Sequence, residues 1–415
     1  MMDSLQLYVH IPFCTSKCDY CDFLSAPADE YIRKRYIESL LNEISGYENK
    51  FDNYQVDTIF LGGGTPSILS GETILRIFDA IYTIFDVSSN AEITMEVNPE
   101  SVKEEDIIYW KKAGINRISI GLQSANDQEL RVLGRKHNYN EFLYNYNVIR
   151  NNGFTNINVD LISGIPGQTI DSYKNTLDSV IKQRPEHISA YSLIVEEGTP
   201  FWDRYGKAAL PVHDDEIVPL VCSEELDRQM YEYTKSVLGE AGYRRYEVSN
   251  YSIWGYECRH NIGYWDRVNY LGIGLGASSL INRVRYKNVS DIDKYIGLFV
   301  GIENCENNLY SCGSVDGLIY DKANKLVKPH AADEIIELSI KDEIEEFMFL
   351  GLRKIKGISR IDFQSQFGKS IDCVYGDVLV KLNDDKLVKQ SGDYICLTDK
   401  GLDLSNYVFS KFLLS

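Results

Sequence analysis

The chain has 415 residues, 44% of them hydrophobic and 25% charged, with a formal charge of −18 at pH 7. That is the balance of an ordinary soluble protein, long enough for two or three domains at about 150 residues each. It excludes a nucleic-acid binder working by bulk phosphate neutralisation. No run approaches the ~18 apolar residues of a transmembrane helix. Met1–Val9 has neither the basic region nor the long apolar core of a signal peptide, so a cytoplasmic protein is expected. The first half alternates apolar, β-rich runs with amphipathic segments. Strands are predicted at Leu5–Phe13, Val56–Gly63, Glu92–Asn98, Arg117–Gln123, Asn156–Ile162 and His187–Ile194. Helices are predicted at Tyr31–Tyr47, Thr73–Phe85, Glu104–Ala113, Asn140–Asn151 and Ile170–Lys182. Such alternation implies right-handed βαβ units and a parallel sheet. Six repeats without a dinucleotide fingerprint predict a partial or complete β/α barrel, with its chemistry at the C-terminal ends of the strands.

The unusual residues do follow the strands. Cys14, Cys18 and Cys21 come after the first, and Gly62-Gly63-Gly64-Thr65-Pro66-Ser67 after the second. Glu96-Val97-Asn98-Pro99 ends the third, and Gly121-Leu122-Gln123-Ser124 the fourth. The fifth carries Asp160, followed by Gly164-Ile165-Pro166-Gly167. From about Thr199 the pattern changes: a helical segment at Glu216–Ala241 leads into motif-rich sequence. Residues 301–330 read as an exposed insertion. Beyond them, Ile335–Leu352 is predicted helical, and Asp362–Leu387 with Tyr394–Leu397 a small helix-rich module with a hairpin. The expected division is a barrel core at 1–200, a continuation at 201–300, the insertion at 301–330 and a C-terminal module at 331–415.

The nine cysteines are odd in number and mostly scattered, and no disulfide framework is expected in a reducing compartment. Three of them form the spacing C-x3-C-x2-C. Three thiolates on one loop can hold three irons of a cubane cluster and leave the fourth iron open for a ligand. Structural zinc would need a fourth ligand, for which His10 is the nearest candidate. The pair Cys305 and Cys312 reads as incidental.

Tyr8-x-His10-Ile11-Pro12-Phe13-Cys14-x3-Cys18-x-Tyr20-Cys21 resembles the N-terminal signature of radical S-adenosylmethionine enzymes, within them the oxygen-independent coproporphyrinogen III oxidase group. The resemblance runs from Leu5 to about Leu413. It implies a partial (β/α)6 barrel followed by a smaller α+β C-terminal domain with a winged-helix-like end. It implies a 4Fe–4S cluster on Cys14, Cys18 and Cys21, with S-adenosylmethionine chelating the open iron and yielding a 5′-deoxyadenosyl radical. Gly63, Gly64 and Thr65 match the loop that meets the methionyl end of that cofactor. Glu96 suits its ammonium group, Arg135 its carboxylate, and Gln123 and Asp160 its ribose hydroxyls. Arg135 beside Lys136 and His137 also reads as a solvated helix end. Tyr8, Tyr20 and Ile194 read either as walls of the cofactor site or as core.

Two departures separate this chain from the oxidases. Phe23 stands where the oxidases carry a further cysteine, and the sequence begins almost at the signature strand, without their long N-terminal extension. Both resemble the sister branch of HemW-type heme chaperones, as does His260-Asn261-Ile262-Gly263-Tyr264-Trp265. In that branch heme is cargo for an acceptor hemoprotein, here a respiratory one. His260 is then the expected iron ligand, Tyr264 and Trp265 a flat wall for the porphyrin, and His10 the second candidate ligand. His260 also reads as a satisfied core histidine. A homodimer and a peripheral membrane contact are compatible with this reading, and the acidic balance argues against nucleic acid. The alternative is a coproporphyrinogen III oxidase that decarboxylates propionates. Arg244, Arg245 and Arg259 suit propionates on either reading. A plain iron–sulfur interaction module is a third class.

Overall fold

The computed structural model describes residues 2–206, 221–299 and 331–414. The expected insertion at 301–330, with Cys305 and Cys312, and residues 216–220 of the expected helix lie outside the described residues.

Twelve strands form one sheet. They are β1 (Asp3–Ile11), β2 (Tyr54–Gly63), β3 (Val87–Val97), β4 (Arg117–Gln123), β5 (Ile157–Ser163), β6 (His187–Ser192), β7 (Arg244–Arg245), β8 (Asn250–Ser252), β9 (Tyr270–Ile273), β10 (Ser278–Ile281), β11 (Val284–Asn288) and β12 (Ala332–Glu337). The order is β12-β11-β10-β9-β1-β2-β3-β4-β5-β6-β8-β7. Strands β1 to β6 are mutually parallel, the expected (β/α)6 unit. On one side β9 adds parallel to β1, and β10 to β12 follow antiparallel. On the other side β8 and β7 add antiparallel.

Alternation along the strands decides what each face does. In β1, Leu5, Leu7, Val9 and Ile11 join one apolar core with Tyr36, Leu40 and Ile44 of the helix Glu30–Ser45. The intervening Gln6, Tyr8 and His10 point to the opposite face. That face is polar on the neighbouring strands too: Thr58, Glu92, Thr94, Arg117, Ser119, Asn158, His187 and Ser189 are all buried. Several of them bond across strands, and Glu92 bonds to the amides of Arg259 and His260, whereas among the described residues the Thr94 hydroxyl and Arg117 Nε have no partner. Asn158 donates to Ser119 Oγ at 2.7 Å, His187 Nδ1 meets Asn158 Oδ1 at 2.6 Å, and Gln6 donates to Thr58 Oγ1 at 3.1 Å.

The extension β9–β12 is tied down by Glu43, a buried carboxyl of the first helix. It accepts from the amide of Gly274 at 2.8 Å, from Asn288 at 2.8 Å and from the Tyr295 hydroxyl. A second core holds a smaller unit containing a three-stranded sheet, Ile358–Ser359, Val388–Ser391 and Tyr394–Leu397, and the helices Ile340–Gly351, Arg360–Phe367 and Ile371–Asp384. The single helix expected at Ile335–Leu352 is corrected here: β12 takes Ile335–Glu337, and a new helix starts at Ile340 behind the capping residue Ser339. The pairing of β12 with β11 overrides any local helical preference. The sixth predicted strand also ends early, at Ser192, leaving Ile194 in a loop.

Candidate functional site

The loop after β1 is held at both ends. A bridge pairs Phe13 with Ala26, and the Cys14 amide donates to the Ala26 carbonyl at 3.2 Å. In mid-loop the Asp19 amide donates to Leu133 O at 3.1 Å, and the Phe201 amide donates to Asp19 O at 3.0 Å. The cysteines are therefore fixed by two distant elements besides their own strand. All three line one cavity at the C-terminal ends of β1–β5.

That cavity also takes Tyr20, Gly63, Gly64, Thr65, Glu96, Gln123, Arg135 and Asp160. The glycine loop is shaped by its neighbours as well as by any ligand. A Cβ on Gly64 would stand 2.5 Å from the Phe13 carbonyl oxygen. One on Gly63, at φ +110°, would stand 2.5 Å from the His10 ring. The amides of Gly64 and Thr65 bond to the Ile11 and Phe13 carbonyls at 2.8 and 2.7 Å, locking this loop to the base of the cysteine loop.

Arg135 is no solvated helix end. It donates to Asn98 Oδ1 at 3.0 Å and to the Gly121 carbonyl at 2.7 Å, and reaches Cys18 Sγ at 3.6 Å. Its Nε is buried without a partner. Among the described residues Glu96 accepts only the Gly63 amide, at 3.0 Å. Burial, then the charge of Asp160, pushes its carboxyl up to about 7. Burial also raises Asp160, against hydrogen bonds from Asn158, Ser189 and Ser119. Burial raises the Cys21 thiol to about 11. Burial thus favours the protonated form of both carboxyl groups, and a cationic ligand would draw them towards the carboxylate.

The donor set fits an iron–sulfur cluster, since all three cysteines line one cavity. Three cysteines spread over one cavity suit a cluster, where each thiolate takes a different iron. Donors stand ready for the sulfurs, the Thr65 hydroxyl at 3.6 Å from Cys14 and Arg135 at 3.6 Å from Cys18.

Two further cavities adjoin the first. One, bordered by Asp160, Gln123 and Tyr20, is where Ile194 lies, 68% exposed, beside Tyr191. The other, of about 490 Å³, shares Gly63, Glu96 and Phe23 with the cysteine cavity and is lined by Tyr8, His10, Tyr264 and Tyr270. His10 is buried; its Nε2 donates to the Leu24 carbonyl at 2.9 Å, so Nδ1 accepts from the Tyr8 hydroxyl at 2.9 Å. Burial lowers its pKa.

The expected heme residues do not form one wall. They lie on the helix Arg259–Trp265, where consecutive residues diverge by about 100°. Tyr264 faces the 490 Å³ cavity, whereas Trp265 lines a separate one of about 530 Å³ beside Phe347, Lys354 and Tyr394. His260 reaches neither. It is 1% exposed, with Nδ1 at 2.7 Å from Thr58 Oγ1 and Nε2 at 3.1 Å from the Tyr264 oxygen. Burial, with Arg117 nearby, pushes its pKa down to about 3. The expectation of His260 as a free axial ligand is corrected on this ground, since both ring nitrogens are occupied inside the barrel.

Sequence reasoning named Asn98 only as part of the segment ending the third strand and missed Ser119, Thr58 and Asn158; these residues hold Arg135, Asp160 and His260. The signal was there: polar residues recur at alternate positions of β1, β3, β4, β5 and β6, while β2 adds Thr58 beside Phe60.

Fold and cavity together define a radical S-adenosylmethionine protein. Residues 8–180 match the radical SAM superfamily model, and residues 338–404 match the HemN C-terminal domain. The fold resembles that of coproporphyrinogen III oxidase (HemN) from Escherichia coli, at TM-score 0.78 and 22% identity, over 99% of this chain and 90% of that one. Heme chaperone HemW of Lactococcus lactis is 36% identical over 98% of this chain and 97% of its own length. HemW of Bacillus subtilis is 34% identical over 98% of both. The chain belongs to the HemW family of radical SAM proteins.

Proposed function

We propose that this protein binds heme and delivers it to an acceptor hemoprotein, a respiratory one in the cytoplasmic setting we infer. Cys14, Cys18 and Cys21 would hold a 4Fe–4S cluster, and Gly63, Gly64, Thr65, Glu96, Gln123, Arg135 and Asp160 would hold S-adenosylmethionine. The observation that carries this reading is the pair of adjoining cavities. One gathers the cysteines with the anionic and guanidinium groups, and the other is aromatic and large enough for part of a tetrapyrrole. Relatives named heme chaperones match along nearly the whole chain. Phe23, 59% exposed, borders both cavities at the position where the oxidase branch has a cysteine.

A bound cluster would supply one electron to the sulfonium. The chain's own residues would position that cofactor. Glu96, as the carboxylate, would take the ammonium group. Arg135 would offer its donors to the carboxylate. Asp160 and Gln123 would take the ribose hydroxyls, with Ile194, Tyr191 and Tyr20 available as apolar walls. Among the described residues no helix is long and apolar enough to cross a membrane; we infer a peripheral contact and a homodimer on which the cofactor site acts.

Hemin titration of the reconstituted protein, followed by addition of an apo-hemoprotein, tests the reading. Saturable uptake and onward transfer are expected. Coproporphyrinogen turnover with consumption of S-adenosylmethionine, and no hemin uptake, would instead establish the oxidase.

A further inference from the structure

The helix Arg259–Trp265 is anchored so that its histidine cannot turn outward. The amides of Arg259 and His260 each donate to Glu92 at 3.0 Å, and Gln6 donates to the His260 carbonyl at 3.0 Å. The imidazole lies against Phe60 at 5.2 Å between ring centroids. Swinging it into a cavity would break its bond to Thr58 and open the core at Phe60.

The hydrogens on this network can be assigned by counting donors. Gln6 Nε2 faces the His260 carbonyl, which fixes the orientation of its amide. Of its two other acceptors, Thr58 Oγ1 at 3.1 Å is nearer than the Arg259 carbonyl at 3.5 Å and takes the second hydrogen. Among the described residues the Thr58 hydroxyl then has one acceptor within reach, His260 Nδ1 at 2.7 Å. Nε2 therefore carries the ring hydrogen and directs it at the Tyr264 oxygen, 3.1 Å away. Tyr264, which lines the aromatic cavity, thus has an N–H donor on its phenol oxygen, held by three residues and set against a burial that favours the neutral phenol.

Such a donor stabilises a phenolate more than a phenol. Tyrosinate is an established ligand of ferric heme iron. We propose that Tyr264 is the residue that ligates ferric heme, through its phenolate oxygen, and that His260 is the positioning residue that holds it. This rests on the heme-binding reading above and names the ligand within it. On ligation the Tyr264 O–H bond breaks and an Fe–O bond forms in place of a water on the iron. The proton leaves to solvent through the open side of the cavity, and the iron stays ferric. Tyr8, Tyr270 and Phe23 offer the surrounding ring faces. Trp265, in a different cavity and stacked under Arg353 at 4.5 Å, takes no part in ligation.

The test is hemin titration of the full chain with visible and resonance Raman spectra, for wild type, Tyr264→Phe, His260→Ala and His260→Gln. Tyr264→Phe keeps the ring and its edge contact with Tyr270, so folding is retained. The expected wild-type complex shows a phenolate-to-iron charge-transfer band and phenolate vibrations. Tyr264→Phe should lose both and bind hemin about tenfold or more weakly. His260→Ala should keep the phenolate bands, shifted, with weaker binding. His260→Gln, which restores an N–H donor, should return them towards wild type. A nitrogen-ligated spectrum that persists in Tyr264→Phe and vanishes in His260→Ala would overturn the proposal while leaving heme binding intact. Absence of saturable hemin uptake by wild type would overturn the heme reading and the ligand with it.

Discussion

At Glu96 two effects oppose each other. Burial and Asp160 favour the protonated carboxyl, and the Gly63 amide favours the carboxylate; burial prevails and the pKa reaches about 7. Its folded pKa lies above the ordinary value, so the folded state holds a proton that the unfolded chain has released. Its contribution to stability is therefore present at low pH and falls as pH rises from the ordinary carboxyl range through about 7. An ammonium-bearing ligand requires the carboxylate, so S-adenosylmethionine should bind more tightly as pH rises through 7. Calorimetric titration at pH 6 and pH 8 checks this, and the difference should be much reduced in Glu96→Gln. Arg135 admits a separate prediction. It already spends one nitrogen on Asn98 and Gly121, and lysine cannot serve those acceptors and a carboxylate together. Arg135→Lys should weaken S-adenosylmethionine binding about tenfold; equal affinity in the two proteins would remove Arg135 from the site.

Among the elements, the glycine loop after β2 shows how a motif can have two causes. Sequence reasoning ascribed its glycines to the approach of a ligand. In the structure Gly64 is also required by the Phe13 carbonyl, 2.5 Å from where a Cβ would sit. Gly64→Ala should displace the cysteine loop at a cost of about 1–3 kcal/mol, the scale of overpacking. Iron and sulfide loading should fall, while the far-ultraviolet dichroism of the sheet is kept. Normal loading would mean that the two loops move independently. Strand existence in the first half was legible because each parallel strand carries its own apolar column, Leu5 to Ile11 in β1 and Ile118 with Ile120 in β4. Strands β7 to β12 were not legible. They are short, and what makes them strands is a partner far away in sequence, as when β9 pairs with β1. The same holds for Ala332–Glu337, where helix and strand readings of the segment are equally good until β11 is placed beside it.

For the whole molecule, the cysteine cluster was legible from its spacing, the glycine loop from its place after the second strand together with the family resemblance, and the heme side only in part. The spacing of His260 and Tyr264 fixes that they share a helix face, but not which of them reaches a cavity. That depends on Thr58 and Gln6, brought from strands more than 200 residues away in sequence. The attachment of the C-terminal unit is likewise non-local. Glu346, buried, accepts from Arg267 at 3.0 Å and from Arg285 at 2.6 Å. Its removal leaves the Arg267 side chain, 6% exposed, without one of its two carboxylates. Glu346→Ala should cost about 3 kcal/mol or more in chemical denaturation, with an early transition of the C-terminal unit. A single transition shifted by less than about 1 kcal/mol, the range of a surface pair, would show that this network does not secure the contact.

The central claim is that the protein carries heme. The most direct test is an anaerobic titration of cluster-reconstituted protein with hemin, read at the Soret band, followed by transfer to an apo-hemoprotein. The account predicts a saturable complex with a shifted band, and loss of that band from the carrier as the acceptor fills. No saturable uptake, with coproporphyrinogen decarboxylated in the same preparation, would contradict it.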